Sequence, residues 1–318
     1  MTHLSETPPP VPTSSPQRAG FAALLGPPNA GKSTLLNTLI ESKLAITSPK
    51  PQTTRLRVLG LWTEGETQVG FLDTPGLFEP KTDLDRDMVT AAWQSLQGAD
   101  AVALVVDASV QKERGPAART AEIIAQLAER QRTVALVLNK IDRMARPDLL
   151  PLAERLQREG AFEAIFMVSA RTGNGVSDLR AFVKERMPPG PWLYPEDQLT
   201  DLPERLWAAE ITREQVFLQL RQEVPYAVTV MPGVWEPHKD GSVVVRQTIY
   251  VTRPAHRAIV LGKNGTRIKA LGQAARQILE EHLKRRVHLF LTVEVDPRWQ
   301  EVPETERLFG LTRSGQSR

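Results

Sequence analysis

The chain contains no cysteine, which excludes disulfide bonds and thiolate metal sites and agrees with a reducing compartment. No apolar run approaches the roughly 18 residues that cross a bilayer. The N-terminal segment also lacks the apolar core of a signal peptide. The five histidines are scattered without the spacing of metal ligands, so no zinc site is predicted. We therefore expect a cytoplasmic protein.

The composition is otherwise that of a globular protein, with 41% hydrophobic and 24% charged residues. At roughly 150 residues per domain, a length of 318 residues predicts two domains. Charge is divided unevenly, because residues 1–200 carry 22 basic and 23 acidic residues, whereas residues 201–318 carry 18 and 14. Nine basic residues and only two acidic ones lie between Arg253 and Phe290. This local positive charge predicts a polyanionic partner.

Proline-rich segments mark the expected domain boundaries. Residues 1–18 have too few apolar residues to fold and are predicted to be a disordered tail. Residues 19–187 alternate strand-like and helix-like segments, which predicts an α/β domain. Residues 188–201 have the composition of a linker. Residues 202–296 predict a second domain in the order helix, strand, strand, helix, helix, strand, and residues 297–318 are expected to be a C-terminal tail.

Apolar periodicity predicts the individual elements. In the first domain the predicted strands are 21–25, 56–62, 68–72, 101–106, 133–138 and 162–168, and the helices are 34–40, 87–97, 116–130, 148–158 and 176–186. In the second domain the predicted strands are 226–234, 242–251 and 287–295.

Residues Gly26 to Ser33 read GPPNAGKS and match the phosphate-binding pattern G-x-x-x-x-G-K-[ST]. The order of strand, glycine loop and helix directs free N–H groups and the helix dipole at a bound phosphate. Lys32 is predicted to reach the terminal phosphates and Ser33 to bind Mg²⁺. An ordinary glycine turn before a helix is the alternative. The candidate nucleotide-binding residues of this loop are Gly26, Pro27, Pro28, Asn29, Ala30, Gly31, Lys32, Ser33 and Thr34.

Two further segments supply candidate residues for the phosphates and the metal. Asp73-Thr74-Pro75-Gly76 follows a predicted strand, so Asp73 can orient Mg²⁺ while the Gly76 N–H meets the terminal phosphate; a simple turn is the alternative. The loop 43–57 contains PQTTR, of which Thr54 is preferred over Thr53 as a second hydroxyl ligand. A solvated loop with hydroxyls bonded to their own backbone is the alternative.

Base recognition is predicted from two segments at the ends of later strands. In Asn139-Lys140-Ile141-Asp142, the Asp142 carboxylate can accept hydrogen bonds from the N1–H and amine of guanine, which adenine lacks. A helix cap is the alternative role for this aspartate. The dipeptide Ser169-Ala170 follows another strand, where the Ala170 N–H can contact guanine O6.

The second domain contains the pattern G-x-x-G between two predicted helices. Such a turn lets a nucleic-acid backbone approach closely, in a fold that binds about four nucleotides of single-stranded RNA. A helix-turn-helix joint is the alternative. Lys263, Arg267 and Lys269 are candidates for phosphate contacts, and Ile259 and Ile268 are either groove or core residues. The full candidate set is Ile259, Gly262, Lys263, Asn264, Gly265, Arg267, Ile268 and Lys269.

Taken in order, GPPNAGKS, PQTTR, DTPGL, NKID and SA, followed by the G-x-x-G module, resemble the Era-like, translation-factor-related GTPases. The resemblance covers about residues 20–296. It implies a Ras-like P-loop domain with a mixed six-stranded sheet, followed by an α+β type II KH domain. It also implies slow hydrolysis of GTP to GDP and phosphate, with Mg²⁺ held by Ser33, Thr54 and Asp73. The implied catalytic residues are Lys32, Thr54, Asp73 and Gly76.

The same resemblance implies partners and a second cation. The partners are small-subunit ribosomal RNA near its 3′ end and the assembling small ribosomal subunit, with the protein acting as a monomer. Leu77 occupies the position of the water-orienting glutamine of Ras-like proteins. Relatives with an apolar residue there use the phosphate-loop asparagine, here Asn29, to help hold K⁺. A loop residue tolerating unusual dihedral angles is the alternative for Asn29.

Two other functions remain open from the sequence. The protein can be a non-catalytic RNA-binding scaffold that holds guanine nucleotide, which phosphate release would decide. It can also be a peripheral membrane GTPase whose basic surface meets anionic lipid, although no amphipathic anchor is evident.

Overall fold

The computed structural model describes residues 16–50, 53–55, 57–80, 83–220 and 224–299. Within these residues no helix has both the length and the apolarity needed to span a membrane.

Parts of the predicted tails and of the PQTTR motif lie outside the described residues. These parts are residues 1–15, residues 300–318, Pro51 and Gln52.

Both predicted tails require correction where they meet the domains. The first strand already begins at Arg18, whose backbone N–H donates to Glu66 O (2.9 Å) and whose Nε donates to Met187 O (2.6 Å). At the other end, Trp299 is only 2% exposed, and the Arg55 guanidinium lies 5.4 Å from its ring centre. At each end these contacts join residues that are far apart in the chain, so composition alone could not predict them.

The first domain is an α/β unit of six strands and five α-helices within the described residues. Its elements are β1 Arg18–Leu25, α1 Lys32–Leu39, β2 Val58–Glu64, β3 Thr67–Asp73, α2 Asp83–Gln94, β4 Ala101–Asp107, α3 Arg114–Glu129, β5 Val134–Asn139, α4 Leu149–Glu159, β6 Phe162–Met167 and α5 Val176–Arg186. Every predicted strand and helix is present. The largest difference is at α2, which begins at Asp83 and not at the predicted residue 87. Apolar spacing identifies the buried turns of a helix more reliably than its ends.

The six strands form one mixed sheet, as predicted, and their order in it is β2-β3-β1-β4-β5-β6. Strand β2 is antiparallel to β3, and the other neighbours are parallel. Parallel strands bring their carboxyl ends to the same edge, where ligands bind in sheets of this kind. The loops after β1, β3, β5 and β6 carry the predicted nucleotide motifs and meet at that edge.

Both faces of this sheet are buried, which the alternation along β4 illustrates. Ala103 and Val105 belong to the apolar cluster shared with α1 and α5, whereas Leu104 and Val106 belong to the cluster shared with α3 and α4. Such strands appear in the sequence as continuous apolar runs. The double layer of helices holds the carboxyl edge of the sheet rigid.

The second domain has the predicted order of elements. They are α6 Glu204–Gln219, β7 Val228–Pro237, β8 Val243–Val251, α7 Pro254–Leu261, α8 Thr266–Leu283 and β9 Val287–Val295. The sheet order is β7-β8-β9, with β7 antiparallel and β9 parallel to β8. The turn between α7 and α8 carries the G-x-x-G pattern.

The predicted linker, residues 188–201, is packed against the first domain. Gln68 on β3 accepts hydrogen bonds at Oε1 from the N–H groups of Leu193 (2.9 Å) and Tyr194 (3.0 Å). The Trp192 indole donates to a carbonyl in the β2–β3 turn (3.2 Å). The linker therefore lies along the β2–β3 side of the sheet in a defined position.

Candidate nucleotide site and nucleic-acid interface

The phosphate loop joins β1 to α1 and requires glycine at both of its glycine positions. Gly26 has φ +142°, and an added Cβ would lie 2.1 Å from Val105 O. Gly31 has φ +91°, and an added Cβ would lie 2.4 Å from Asn139 Nδ2. Only glycine lets the loop lie this close to the ends of β4 and β5.

Lys32 directs its ammonium into the phosphate loop. Its Nζ donates to Gly26 O and Pro27 O, both at 3.1 Å. Burial lowers the pKa of Lys32 to about 8, and the nearby Asp73 carboxylate partly offsets that effect. The charge thus lies inside the loop, at the position that the motif predicts for the terminal phosphates.

Three predicted metal ligands, from the start of α1, the loop before β2 and the end of β3, come together beside Lys32. Ser33 Oγ lies 2.7 Å from Thr54 Oγ1, which donates to Asp73 Oδ2 at 3.3 Å. Burial raises the pKa of Asp73 to about 6, against the opposing effect of Lys32. Its other oxygen, Oδ1, is buried and has no hydrogen-bond partner among the described residues. A cluster of hard oxygen donors with a buried carboxylate oxygen left over fits Mg²⁺.

Thr53, the other candidate hydroxyl, is directed away from this cluster. Its Oγ1 donates to Lys50 O (2.8 Å) and lies 2.8 Å from Ser48 Oγ. The structure therefore places Thr54, and not Thr53, beside Ser33 and Asp73.

The segment after β3 is folded tightly against the phosphate loop. Thr74 Oγ1 donates to Leu24 O (2.8 Å), and the Leu77 N–H donates to Gly26 O (2.9 Å). A Cβ on Gly76 would lie 2.8 Å from Pro28 N, so a side chain there would displace one of the two loops. Leu77 is 3% exposed and packs into the core. This position offers no polar group to an attacking water.

Asn139 and Lys140 connect the loops to one another. Asn139 Nδ2 donates to Ala30 O (2.8 Å), and its Oδ1 accepts from the Ala170 N–H (3.0 Å). Lys140 Nζ donates to Asn29 O and Asp107 Oδ2, both at 2.6 Å. Asp107 was missed from the sequence, although it is an aspartate at a strand end, the same signal that identified Asp73.

The contact of the Ala170 N–H with guanine O6 stays a prediction, and the structure shows a competing partner for this group. In the structure this N–H is already engaged by Asn139, because the loop after β6 folds back onto the end of β5. A contact with the base would have to replace or share that hydrogen bond.

Asp142 is held in a defined orientation by two donors. Ser169 Oγ donates to its Oδ1 (2.6 Å), and Arg171 Nη2 donates to its Oδ2 (2.7 Å). The hydrogen bond from Ser169, followed by that from Arg171, holds the pKa of Asp142 below its usual range. The carboxylate is therefore charged at neutral pH, as recognition of guanine requires. The sequence did not predict the contact of Arg171 with Asp142. The only available signal was that Arg171 directly follows Ser169-Ala170.

A cavity of about 1170 Å³ lies beside the phosphate loop, larger than the roughly 300–1,000 Å³ typical of small-molecule sites. The predicted base-recognition residues Asp142 and Ala170 are not among the residues that line it. Its walls include the phosphate loop, the loop before β2 and Lys140. The second domain also contributes to the wall, with Glu214, Gln215, Leu218 and Ile278. The sequence predicted a site built from the first domain alone, so these four residues were missed.

The G-x-x-G turn is exposed at the surface of the second domain. Gly262 has φ +70° and Gly265 has φ +75°. A Cβ on Gly262 would meet Arg267 Cβ at 2.7 Å, whereas nothing lies within 4 Å of one on Gly265. Lys263 and Asn264, between the two glycines, are exposed. The turn can therefore approach a nucleic-acid backbone without obstruction.

The other RNA-binding candidates, on either side of the G-x-x-G turn, include both surface residues and a core residue. Ile259 is 37% exposed, whereas Ile268 is half-buried against the core of the second domain. Arg267 and Lys269 are exposed. Arg267 Nη1 also donates to Ile259 O (2.8 Å) near the end of α7, so Arg267 has a structural contact besides its predicted role.

Both domains match known family models. The model described as "50S ribosome-binding GTPase" matches residues 21–140, and the model described as "KH domain" matches residues 223–300. The GTPase Era of Rhizobium meliloti (strain 1021) is 48% identical over 296 residues, which are 93% of each chain. The chain belongs to the Era family of GTPases. The GTPase Era of Caulobacter vibrioides (strain NA1000 / CB15N) is 49% identical over 301 residues, 91% of this chain and 95% of that relative.

Two solved structures of Era have the same overall fold. A variant of Aquifex aeolicus Era bound to GDP·AlF₄⁻ is 39% identical, with a TM-score of 0.86 over 92% of this chain and 99% of the other. Era in complex with MgGDPNP and nucleotides 1506–1542 of 16S ribosomal RNA gives the same values. The predicted fold class, a Ras-like GTPase domain followed by a KH domain, is confirmed. The predicted GTP hydrolase activity is confirmed with it, against the alternative of a non-catalytic scaffold.

Proposed function

We propose that this Era-family GTPase binds small-subunit ribosomal RNA near its 3′ end and acts as a nucleotide-dependent switch in assembly of the small ribosomal subunit. The observation that supports RNA binding most directly is the exposed G-x-x-G turn, with Lys263 and Lys269 beside it in the most basic part of the chain. An Era relative has been solved with nucleotides of 16S ribosomal RNA, which supports the choice of RNA.

The proposed nucleotide-binding roles rest on the positions of the motif residues, of which Lys32, Ser33, Thr54 and Gly76 line the cavity. Lys32 binds the terminal phosphates, the Gly76 N–H meets the last phosphate, and Asp142 binds the guanine edge. Ser33, Thr54 and Asp73 hold Mg²⁺, which neutralises phosphate charge when it is bound. The buried, unpaired Oδ1 of Asp73 supports this assignment.

A K⁺ ion beside Asn29 is part of the same proposal. Asn29 has φ +61°, and its Nδ2 donates to Pro49 O (3.3 Å), which connects the phosphate loop with the loop before β2. An ion held there would supply positive charge near the phosphates. The apolar side chain of Leu77 can neither supply charge nor orient the attacking water. Hydrolysis rates should be higher in KCl than in NaCl of the same ionic strength, and Asn29→Ala should remove the difference. Equal rates of the unmodified protein in the two salts would contradict the K⁺ site.

RNA binding can be tested with an oligonucleotide copied from the 3′ end of small-subunit ribosomal RNA. Each phosphate contact in a single-stranded complex contributes about 0.7 to the slope of log K against log salt concentration. We expect Lys263→Gln to reduce the slope by about that amount. Lys239→Gln, an exposed lysine in the β7–β8 turn, is the matched control and should leave the slope unchanged. Equal slopes for Lys263→Gln and the unmodified protein would place the RNA elsewhere.

The identity of the RNA and its coupling to nucleotide need a second measurement. Crosslinking of RNA to protein loaded with GDP or with a non-hydrolysable GTP analogue, followed by sequencing, should recover the 3′ end and show a difference between the two states. Flotation with anionic vesicles, with and without this RNA, separates RNA binding from the membrane alternative, because both would use the same basic surface.

A further inference from the structure

The loop before β2 is held by the second domain near its start. We call residues 43–55 the switch loop; residues 43–50 and 53–55 of it are described. Trp207 Nε1 on α6 donates to Leu44 O (3.0 Å). Glu214 Oε1, also on α6, accepts from the Thr47 N–H (2.7 Å) and from Lys43 Nζ (2.6 Å). The Glu214 side chain is only 3% exposed, whereas that of Lys43 is 37% exposed, so only the carboxylate end of this pair is buried. Hydrogen bonds to a charged group are stronger than those between neutral groups.

The other end of the switch loop, around Thr54, is held in the same way. Arg213 Nη2 donates to Thr53 O (2.7 Å), and Arg213 is completely buried beside its partner Glu210. Arg55 Nη1 donates to Val228 O (2.9 Å) at the start of β7. The residues on both sides of Thr54 are therefore fixed by contacts with the second domain.

Thr54 itself points the other way, toward the phosphates. Its Oγ1 lies 2.7 Å from Ser33 Oγ, in the cluster that fits Mg²⁺. Arg213 of the second domain binds the carbonyl of Thr53, and the adjacent residue, Thr54, supplies its hydroxyl to the metal cluster. Only one peptide unit therefore separates the contact with the second domain from the metal cluster.

We propose that Arg213 and Glu214 are positioning residues for Thr54. A free loop would lose conformational entropy each time it closed over a triphosphate, whereas a loop already held in place loses less and closes with higher affinity. The first helix of the KH module thereby sets how tightly the GTPase domain holds Mg²⁺ and triphosphate. This inference rests on the proposed role of Thr54 as a magnesium ligand.

The test uses the full chain with Glu214→Gln, which keeps the size of the side chain but removes the charge. Mg²⁺ is titrated at a fixed concentration of a non-hydrolysable GTP analogue, and the affinity is measured by calorimetry. We expect Mg²⁺-dependent binding of the analogue to weaken about tenfold, from the loss of charge-assisted hydrogen bonds. Binding of GDP should be unchanged, because switch loops are ordered by the γ-phosphate and its Mg²⁺.

Two variants provide the comparison. Glu204 is on the same helix, but its ion pair with Arg285 (2.6 Å) does not touch the switch loop. Glu204→Gln should therefore bind the analogue and GDP with the affinities of the unmodified protein. Thr54→Ala removes the proposed ligand itself. If Thr54→Ala weakens binding of the analogue and Glu214→Gln does not, the positioning role is wrong and the magnesium role stands. If Thr54→Ala also has no effect, the proposed magnesium role fails.

A second change tests Arg213 without leaving a buried charge unpaired. The double variant Glu210→Gln, Arg213→Met replaces the buried pair by uncharged groups of similar size, which such sites often tolerate. We expect the same selective loss for the GTP analogue, together with faster trypsin cleavage after Lys43 in the analogue-bound state. Equal losses of GDP and analogue affinity would indicate general destabilisation and would overturn the inference.

Discussion

The proposed base recognition depends on Asp142, whose neighbours influence its charge and direction. The Asp142 carboxylate has one oxygen bonded to Ser169 and the other to Arg171, so it cannot rotate freely. These hydrogen bonds hold the pKa of Asp142 below its usual range, which extends its role as an acceptor to lower pH. Local hydrogen bonding, rather than burial, therefore prepares this residue.

The first prediction replaces the carboxylate of Asp142, which accepts hydrogen bonds, by an amide that can also donate to the nucleotide base. Asp142→Asn should weaken GDP binding by about two orders of magnitude, because two charge-assisted hydrogen bonds are lost. It should also shift preference toward xanthosine diphosphate, whose extra carbonyl can accept from the new amide. Calorimetric titration with the two nucleotides measures both effects. Asp148→Asn, a surface aspartate paired with Lys112, is the control. A variant that kept guanine selectivity would refute the assignment.

The second prediction concerns the close approach at Gly76. A methyl group there would lie 2.8 Å from Pro28 N, so Gly76→Ala must separate the segment after β3 from the phosphate loop. We expect the hydrolysis rate at saturating GTP to fall about 10- to 100-fold, since small misplacements of reacting groups have effects of this size.

Gly190→Ala provides the control for this change. A Cβ at Gly190 meets nothing within 4 Å, so hydrolysis should be unaffected. Phosphate release under single-turnover conditions measures the chemical step in each variant. Unchanged hydrolysis in Gly76→Ala would show that this contact does not matter for the reaction.

At the scale of elements, the packed linker shows why composition is a limited guide to mobility. Residues 188–201 have the prolines expected of a linker between domains, yet Gln68 pairs with three backbone groups of Leu193 and Tyr194. A polar residue inside an apolar strand is the sequence signal that was available. Its partners could not be known, because they lie more than 120 residues away.

The third prediction removes that anchor. Gln68 is 2% exposed, and Gln68→Leu would remove the partner of three backbone groups of the linker while leaving them next to an apolar side chain. We expect the free energy of unfolding to fall by about 2 kcal/mol or more, measured by urea denaturation. Gln157→Leu, an exposed glutamine on α4, should change it by less than about 0.5 kcal/mol. Similar stability of the two variants would show that the linker does not depend on Gln68.

At the scale of the whole molecule, the two domains share part of one apolar core. Leu44 and Ile46 from the first domain lie in the same cluster as Trp207, Ile211 and Leu279 from the second. The nucleotide cavity also has walls from both domains. A change in the contact between the domains therefore alters the nucleotide site directly.

The fourth prediction tests this shared core. The unmodified protein should unfold in one calorimetric transition, because neither domain can lose its structure without exposing the core of the other. Trp207→Ala should lower the free energy of unfolding by about 3–5 kcal/mol and separate the transition into two.

A tryptophan within one domain provides the control. Trp93→Ala, on α2 and packed against the core of the first domain alone, should destabilise the protein but keep its domains unfolding together. Two transitions in the unmodified protein would show that the shared core does not couple the domains.

The sequence by itself determined the two domains, the order of their elements and the nucleotide motifs. It could do so because glycine geometry, apolar periodicity and the ends of parallel strands are local properties. Lys32, Ser33, Asp73 and Asp142 could be selected for that reason, and the structure brings the first three together.

Only the tertiary structure decided which side chains support those motifs. Arg171 on Asp142, and Arg213 and Glu214 on the switch loop, follow no local pattern. Asp107 has the local signal of a strand end, but that signal does not reveal its pairing with Lys140. The contacts of Arg213 and Glu214 cross about 160 residues of sequence and exist because the second domain packs against the first. Such pairings depend on how whole surfaces fit together, and no window of sequence contains that information.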